Sequence, residues 1–411
     1  MEDMNMLSYF LKMVRKYGFE SFVLLIVFTG TWIGYGAYMW GPLVLGFLVA
    51  LFFKEKRAFL FRDKILLVLI ITLTKNDIIS SLFAINNPNT TILSALWFIG
   101  LVVPMFYVRF SLNKNNDFFI KWMLPIGFIC SLVILVYLFT SFIHHTATVG
   151  LEFKRYTFLT LGKATTSDIV LILGGLGYGW IRQKDGNKYR WMGLIYLLAC
   201  FLGMFLAFDR GGVMAFFIMS MLLLSFDYKR LLVFISVCGV IAVLILTVDA
   251  FNGLKRMIDY LYLQATQKEL LESQQISTFR AGWEMSLDHW LLGVGTNNFS
   301  RYSKQYGPHI WWAYAHNIVL QWWAENGIFG LTLNLSIVGT VIGRWLISFK
   351  SYKYKYVALG IGASFIGLFI GNMTNSTIYI IKIGIMFYLL AGLMSSIYYI
   401  VKEERGGIDQ V

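Results

Sequence analysis

The sequence has 411 residues, of which 58% are hydrophobic and 14% are charged. Soluble domains carry roughly 25% charged residues, so this composition excludes an ordinary water-soluble fold and indicates a protein whose surface mostly faces lipid. The formal net charge of +13 would suit nucleic-acid binding if the basic residues formed one patch, but they recur in alternate connections along the chain, which excludes that class of partner.

Apolar segments recur along the whole chain. About twelve of them could cross a bilayer as helices, since a span needs ~20 residues. They begin near Phe22, Gly41, Ile65, Ile92, Trp122, Ile169, Trp191, Gly211, Leu231, Asn317, Val357 and Ile378. The sequence therefore predicts an all-α, polytopic membrane protein with about twelve transmembrane helices.

The basic residues set the predicted topology. Most of the 35 Lys and Arg residues lie in alternate connections, such as residues 54–64, 109–121 and 182–190. By the positive-inside rule, these connections and both termini are predicted to be cytoplasmic. The first span follows a basic segment, as in a signal peptide, but no small-residue cleavage site follows it, so we expect it to stay attached.

Three parts follow from this topology. Residues 1–248 are predicted to hold transmembrane helices 1–9, and residues 249–315 to form a long helical extracytoplasmic loop between spans 9 and 10. Residues 316–411 are predicted to hold transmembrane helices 10–12 and a cytoplasmic tail. Because long loops in compact proteins are usually functional, the loop between spans 9 and 10 is the first place to look for a site.

The first half of the chain offers fewer candidates for chemistry. The three cysteines all fall within predicted spans and indicate small buried apolar side chains, with no disulfide or metal site. A second long outward connection, residues 141–168, carries His144 and His145. No pattern around these two histidines supports a functional role.

Arg210 is the first candidate for a binding residue. It stands in the run Phe208-Asp209-Arg210-Gly211-Gly212, at the outer junction of two predicted spans and against the positive-inside bias. A guanidinium there matches phosphate oxygens, next to glycines that let backbone approach closely and a helix N-terminus that adds partial positive charge. The alternative is a local Asp209–Arg210 pair that ends a helix.

The loop at residues 249–315 is predicted to contain two amphipathic helices. Apolar residues recur at helical spacing from Leu254 to Leu271, which predicts a helix lying at the membrane interface. A second helix is predicted to begin after residues 273–275. Its apolar stripe consists of Phe279, Trp283, Leu287 and Trp290, and its charged stripe consists of Arg280, Glu284 and Asp288.

Arg280 is therefore predicted to point toward water or a cavity. Two outward arginines, Arg210 and Arg280, would suit a diphosphate far better than one. The alternative is an exposed i,i+4 pair with Glu284, which is common on helix surfaces and worth only ~0.3–0.5 kcal/mol.

His316 begins the tenth predicted span on the outer side. An imidazole titrates near neutral pH and can accept a proton from a hydroxyl, although interfacial histidines without chemistry are frequent. Glu325, two to three turns further along the same helix, is predicted as a substrate-binding residue that orients the site or pairs with an arginine; the alternative is that it simply packs. Lys382, one turn into the last span, either supplements a phosphate site or snorkels.

Two further patterns bear on chemistry. Six tryptophans gather near the predicted outer boundary, which is typical of an aromatic belt, with stacking on sugar rings as a secondary interpretation; they are Trp283, Trp290, Trp311, Trp312, Trp322 and Trp323. The predicted outer face has no Asp-x-Asp pair, and the chain has no His-Glu-x-x-His motif and no P-loop pattern. These absences leave a metal- or nucleotide-dependent reaction unsupported.

The motifs together resemble the O-antigen ligase and polymerase family of bacterial membrane glycosyltransferases. The matching stretches are Phe208–Gly212, Phe279–Phe299 and Ala315–Leu331. Each stretch alone is a weak signal, but their order, their separation across one long outer loop and the predicted number of spans make the set specific. The resemblance extends over roughly residues 202–346.

The resemblance implies transfer of a glycan from undecaprenyl diphosphate to an acceptor hydroxyl, with inversion and without a metal or other cofactor. It places this reaction at the outer face of the bacterial cytoplasmic (inner) membrane. Carried over by position, Arg210 and Arg280 would bind the diphosphate and His316 would be the base. One departure is Asp209, where a small hydroxyl residue is expected before the arginine.

The implied partners are the lipid-linked glycan donor, a glycan or lipid-core acceptor, membrane lipid and a chain-length regulator protein. Polymerase and ligase are nearly balanced, and we lean slightly to polymerase. A lipid or anionic-solute transporter or flippase is the alternative from another class, although transporters usually show paired broken helices with polar groups near the bilayer midplane. A structural assembly subunit would leave the outward arginines unexplained.

Overall fold

The computed structural model describes residues 63–84, 88–111, 117–149, 163–181, 187–207, 209–224, 274–306, 314–349 and 354–408, with isolated positions at 48, 51 and 52 and between 229 and 240. In these ranges the chain forms helices and no β-strand. The all-α class predicted from the sequence is thus confirmed for the part that the structure describes.

Eleven α-helices follow one another in these ranges. The first six are α1 (Lys64–Leu82), α2 (Pro88–Ser111), α3 (Asp117–Val149), α4 (Lys163–Ile181), α5 (Asn187–Leu206) and α6 (Arg210–Leu224). The others are α7 (Gln274–Asp288), the short α8 (Phe299–Tyr302), α9 (Ile318–Ser348), α10 (Lys355–Gly371) and α11 (Ile381–Ile408). Two 3₁₀ turns, Ser303–Gln305 and Thr377–Tyr379, follow α8 and precede α11.

Among the residues that the structure describes, three helices are long and apolar enough to cross a membrane, namely α1, α9 and the stretch Ile381–Glu403 of α11. Shorter apolar stretches lie on α2, α3, α5, α6 and α10. The predicted spans that start near Phe22, Gly41 and Leu231 begin outside the described residues, and the other nine fall on α1–α6 and α9–α11. The total of about twelve spans stays a prediction.

The last helix, α11, lies at the centre of the described helices. Within its apolar stretch 83% of the residues are buried, against 39% for α1 and 44% for α9, so much more of the surface of α1 and α9 is exposed. Small residues at helix contacts allow two helices to pack closely, as is common in membrane proteins. Where α4 meets α10, Gly175 lies against Ser364, whose hydroxyl donates to the Ile172 carbonyl at 2.6 Å.

A buried ion pair ties three helices together at one end of the bundle. Asp63 caps α1 by accepting from the Leu66 amide at 3.0 Å, and it pairs with Arg344 near the end of α9. Ser395 of α11 donates to Asp63 at 2.7 Å and accepts from Arg344 at 3.0 Å. Burial alone would raise the pKa of Asp63, but the hydrogen bond and charge of Arg344, with help from the Leu66 amide and Ser395, lower it below its usual value.

Two boundaries differ from those predicted. The connection predicted at residues 141–168 is partly helical, because α3 continues to Val149 and α4 already starts at Lys163, so His144 and His145 lie in the last turns of α3.

Of the six tryptophans predicted near the outer boundary, Trp322 is buried and stacks on Phe369 at 6.3 Å. Trp311 and Trp312 lie outside the described residues.

Candidate functional site

Helix α9 is broken near its start. Gly327 has φ 67° and ψ −173°, which interrupts the helix between a first part, Ile318–Asn326, and the longer remainder. The break frees backbone groups, and other segments bind them: the carbonyls of Ala324 and Glu325 accept from the amides of Val294 and Gly295 at 2.9 and 2.8 Å. The Ile328 amide donates to the Trp290 carbonyl at 2.8 Å.

The segment that fills this break is Gly293–Phe299, which we call the glycine loop. Gly293 has φ 72° and Gly295 has φ 90°, and both values favour glycine. A Cβ on Gly293 would collide with the Glu325 carbonyl, and one on Gly295 would lie 2.7 Å from Thr91 Cγ2. The two glycines are therefore required both by their backbone conformation and by close packing.

The side chain of Glu325 holds the glycine loop against α9. This carboxyl group is fully buried and accepts from the amides of Asn297 at 2.8 Å and Phe299 at 3.0 Å. It also accepts from Gln321 Nε2 at 2.7 Å and from the Tyr379 hydroxyl. Glu325 was predicted as a substrate-binding residue; its described contacts are with the protein itself, and direct contact with substrate stays a prediction.

A second buried acid lies beside the break. Asn326 donates to Asp77 of α1 and, at 3.0 Å, to Thr296 of the glycine loop. Ser80, one turn beyond Asp77, donates to the carbonyls of Leu292 and Glu325 at 2.6 and 2.9 Å. The end of α1, the glycine loop and the break in α9 thus form one hydrogen-bonded unit.

His316 stands immediately before α9 in a left-handed backbone conformation, with φ 56°. Asn317 caps the helix by accepting from the amides of Val319 and Leu320 at 2.9 and 3.0 Å. On the other side of His316, the Ala315 amide donates to Gln321 Oε1 at 2.6 Å. Both ring nitrogens of His316 are shielded from solvent.

Residues near the starts of several helices contact the turn between α10 and α11, residues 372–380. The Ile318 amide donates to the Asn372 carbonyl at 2.9 Å, and Asn317 Nδ2 donates to the Met373 carbonyl at 3.0 Å. Thr377 donates to Asp168 of α4. His316 is therefore adjacent in sequence to residues that bind this turn.

The start of α6 reaches the same turn. Arg210 is the first residue of α6, and its side chain lies outside what the structure describes. A Cβ on Gly211 would collide with Thr374, and Asn375 Nδ2 donates to Asp209 Oδ2 at 3.4 Å. The Asp209 carboxyl is buried and directed at this turn, so the backbone on both sides of Arg210 is anchored next to residues 372–375.

Helix α7, which carries Arg280, packs on the segment that leads into His316. A Cβ on Gly282 would lie 3.1 Å from Ala315 Cβ, so α7 packs closely on the residue before His316. Arg280 itself is exposed on another face of α7, as its predicted stripe requires. Lys382 is half-buried and is the second residue of α11, directly after the turn at residues 372–380.

The candidate site therefore lies at one end of the bundle, where α4, α6, α9 and α11 begin. The turn at residues 372–380 brings the backbone of Arg210, His316 and Lys382 to one region, and α7, the helix of Arg280, packs on the residue before His316. The ion pair at Arg344 lies ~40 Å away along α9. In the described ranges no three His, Cys, Asp or Glu residues are grouped as metal ligands would be.

Two tyrosines near the site keep their protons. Burial, followed by the neighbouring Glu325, raises the pKa of Tyr314, whose ring lies 6.0 Å from that of Tyr379. Burial and the Asp288 carboxyl, which accepts from Tyr306 at 3.0 Å, raise the pKa of Tyr306 to about 12. At neutral pH both phenols are hydrogen-bond donors rather than bases.

Six residues that build this site were not predicted from the sequence: Asp77, Asp168, Gln321, Asn372, Thr377 and Tyr379. Two of them could have been noticed, because Asp77 and Asp168 are ionisable residues in or beside apolar segments, which usually carry a specific role. The others are neutral and their roles depend on contacts with distant parts of the chain.

Comparison with known proteins agrees with the resemblance found in the sequence. Residues 195–335 match the family model described as O-Antigen ligase. The matched segment contains Arg210, Arg280, His316 and Glu325 and ends within α9. No curated protein matches the chain. The predicted resemblance to the O-antigen ligase and polymerase family is confirmed, and it supports a membrane-bound enzyme that transfers glycans.

Proposed function

We propose that this protein transfers a glycan from undecaprenyl diphosphate to an acceptor sugar hydroxyl at the outer face of the bacterial cytoplasmic membrane. The match of residues 195–335 to the O-antigen ligase family supports the reaction class. The observation that supports the proposal is that Asn317, which follows His316, and Gly211, which follows Arg210, both contact the turn at residues 372–380, and that α11 begins directly after this turn. We infer that the side chains of Arg210, His316 and Lys382 converge at this end of the helices.

In the proposed reaction, His316 accepts the proton of the acceptor hydroxyl. The acceptor oxygen forms a bond to the anomeric carbon of the donor as the bond from that carbon to the diphosphate oxygen breaks. Undecaprenyl diphosphate leaves with the electron pair, and attack from the opposite face inverts the anomeric centre. General-base assistance of this kind typically contributes 10²–10⁴-fold in rate, an order-of-magnitude range.

The two arginines stabilise the leaving group in this proposal. Arg210 and Arg280 bind the diphosphate through charge-assisted hydrogen bonds, which offsets the negative charge that develops as the sugar departs. Lys382 adds a third positive charge beside the turn. Because two guanidinium groups offset the charge of the leaving diphosphate, the proposed reaction needs no metal ion. Glu325 contributes by fixing the glycine loop, and we retain its contact with substrate as part of the proposal.

The membrane arrangement completes the proposal. About twelve spans, with both termini cytoplasmic, would place the site outside the cell, where activated sugars arrive on lipid carriers. The partners are then the lipid-linked donor, a glycan or lipid-core acceptor, membrane lipid and a chain-length regulator. We favour a repeat-unit polymerase slightly over a ligase.

A transporter or flippase is the second candidate, and the break in α9 is the observation that favours it, because broken helices line many transport sites. Two features weigh against it. The break lies only nine residues into α9, and the glycine loop and α1 bind its freed backbone groups.

The decisive test uses purified protein with undecaprenyl-diphosphate-linked glycan in the presence of EDTA. We expect a ladder of glycan lengths for a polymerase, or glycan on a lipid A core for a ligase. His316→Ala should reduce turnover by at least about a hundredfold, because it removes the base. The matched control is His289→Ala, since His289 contacts the Tyr302 ring edge-on at 5.8 Å and lies outside the proposed machinery.

Normal turnover by the His316→Ala protein would contradict the assignment of the base. Movement of lipid-linked glycan across vesicles without any covalent change would favour the transporter. Loss of turnover in EDTA, restored by a divalent cation, would contradict the metal-independent route.

A further inference from the structure

Helix α7 presents an apolar face that is exposed among the residues that the structure describes. Its buried face consists of small or flexible residues that pack on α9 and the segment before it: Thr278, Ala281, Gly282, Met285 and Ser286. Its apolar stripe points the other way, with 45% of Phe279, 48% of Trp283, 50% of Leu287 and 56% of Trp290 exposed. A soluble loop rarely leaves a contiguous apolar patch with two tryptophans in water.

This face continues onto the membrane-crossing surface of α9. The Trp283 ring meets the Trp323 ring edge-on at 5.6 Å, and Trp323 Nε1 donates to the Trp290 carbonyl at 3.3 Å. Further along α9, Phe329 and Leu335 are also exposed. Because α9 is long and apolar enough to span a bilayer, its exposed apolar side chains face acyl chains, and the stripe of α7 adjoins them.

We propose that α7 is an interfacial helix whose stripe of Phe279, Trp283, Leu287 and Trp290 inserts into the phospholipid leaflet at the end of the bundle where α9 begins. The third face of the helix supports this orientation, since Arg280, Glu284 and Asp288 are all exposed beside the stripe. An amphipathic helix with an aromatic-rich apolar face and a charged face lies in the plane of the interface. Arg280 is thereby held at the level of the lipid phosphates.

This inference concerns lipid contact and does not depend on glycan transfer. Its test uses full-length protein in phospholipid nanodiscs, with one spin label on α7. The background carries Cys130→Ala, Cys200→Ala and Cys238→Ala, and the label is attached through Leu287→Cys. Glu284→Cys is the matched control, one turn away on the charged face of the same helix. Collision rates with oxygen, which concentrates in lipid, and with a water-soluble nickel chelate report the surroundings of each label.

We expect the ratio of oxygen to nickel collisions to be at least about threefold higher at residue 287 than at residue 284. Equal and high nickel collisions at both positions would overturn the inference, because the stripe would then lie in water. Low collisions with both reagents at residue 287 would also overturn it, since protein would cover the stripe. Spin–spin broadening in the second case would identify that cover as another copy of the chain.

A second pair of labels guards against a variant that fails to fold. Trp290→Cys lies on the stripe, and Asp288→Cys lies on the charged face. The same difference in collision ratio is expected between them. Its absence in a folded protein that retains its native thermal transition would overturn the proposal independently of the first pair.

Discussion

The left-handed backbone of His316 is held in place by its neighbours. A non-glycine residue in this region costs roughly 1–3 kcal/mol, and such residues cluster at functional sites. The strain persists here because bonds fix the chain on both sides of His316: the Ala315 amide donates to Gln321, and the Ile318 amide donates to the Asn372 carbonyl. The hydrogen-bonded backbone on both sides of His316 therefore sets the position from which its imidazole extends.

Glu325 connects this histidine to the rest of the site. Gln321 accepts from the Ala315 amide and donates to Glu325, which also binds the glycine loop and Tyr379. One carboxyl group therefore sets the relative positions of three segments: the one that carries His316, the one that follows Arg280 and the one that precedes Lys382.

Glu325→Gln is expected to disturb all three segments. The carboxyl accepts four hydrogen bonds, and an amide would turn its NH₂ group toward donors, so at least one buried amide loses its acceptor. Each buried donor left without a partner costs ~1–3 kcal/mol. We expect glycan turnover in purified protein to fall at least about tenfold through kcat, with KM for the donor changed much less.

The matched control for that experiment is Glu284→Gln on the exposed face of α7, which should leave both kinetic constants unchanged within about twofold. The thermal transition of each variant is measured in the same detergent. If Glu325→Gln lowers thermal stability but retains the native kcat, then Glu325 stabilises the fold without positioning the site.

At the scale of elements, the break in α9 and the glycine loop form one structure. The break frees two carbonyls that the glycine loop binds and an amide that donates to Trp290 just before the loop, so each conformation stabilises the other. This mutual dependence explains why three glycines with positive φ, Gly293, Gly295 and Gly327, lie in two segments about thirty residues apart in sequence.

Gly327→Ala tests this dependence. The φ and ψ of Gly327 lie in a region that is essentially restricted to glycine, and a Cβ would collide with the Leu291 carbonyl. We expect a loss of stability of at least about 3 kcal/mol and a clearly lower thermal transition. Gly339→Ala in the same helix is the matched control, because open space surrounds that position, and it should be neutral or stabilising by up to ~1 kcal/mol. Equal transitions for the two variants would contradict a required break.

Local sequence signals predicted the elements but not their connections. Hydropathy placed a span start at Asn317, where the side chain caps α9, and helical periodicity separated Arg280 from the apolar stripe of α7. The apolar segment continues past Gly327, so hydropathy did not predict a break there. The break depends on contacts such as Asn326 with Asp77, which are 249 residues apart and leave no local pattern.

At the scale of the whole molecule, the described helices carry a cluster of buried charged groups at each end. One end holds the candidate site, with the buried acids Asp168 and Asp209 and the turn at residues 372–380. The other end holds the ion pair of Asp63 and Arg344, over which the Tyr398 and Tyr399 rings lie at 5.5 and 5.7 Å. The ion pair fixes the far ends of α1 and α9, the same two helices that border the glycine loop.

Stability should therefore depend on pH through Asp63. Arg344 and its hydrogen-bonding neighbours lower the pKa of this carboxyl in the folded protein, outweighing the effect of burial. A carboxyl with a depressed pKa stabilises the fold above its unfolded value of about 3.9, and that contribution is lost as the pH falls through the folded pKa. The thermal transition of the wild-type protein is expected to drop below about pH 4 more steeply than that of Asp63→Asn.

Asp63→Asn should also be less stable at neutral pH, by ~3–5 kcal/mol, because it leaves the Arg344 guanidinium buried without its counter-charge. Asp63→Asn combined with Arg344→Met removes both charges and should recover most of that loss, since no buried charge is then left without a counter-charge. Both effects are measured by thermal unfolding of the wild-type protein, Asp63→Asn and the double variant between about pH 3 and pH 7, a range that includes the pKa of Asp63 in the unfolded chain. Parallel pH profiles for wild type and Asp63→Asn would show that Asp63 is not the group whose protonation weakens this end of the bundle.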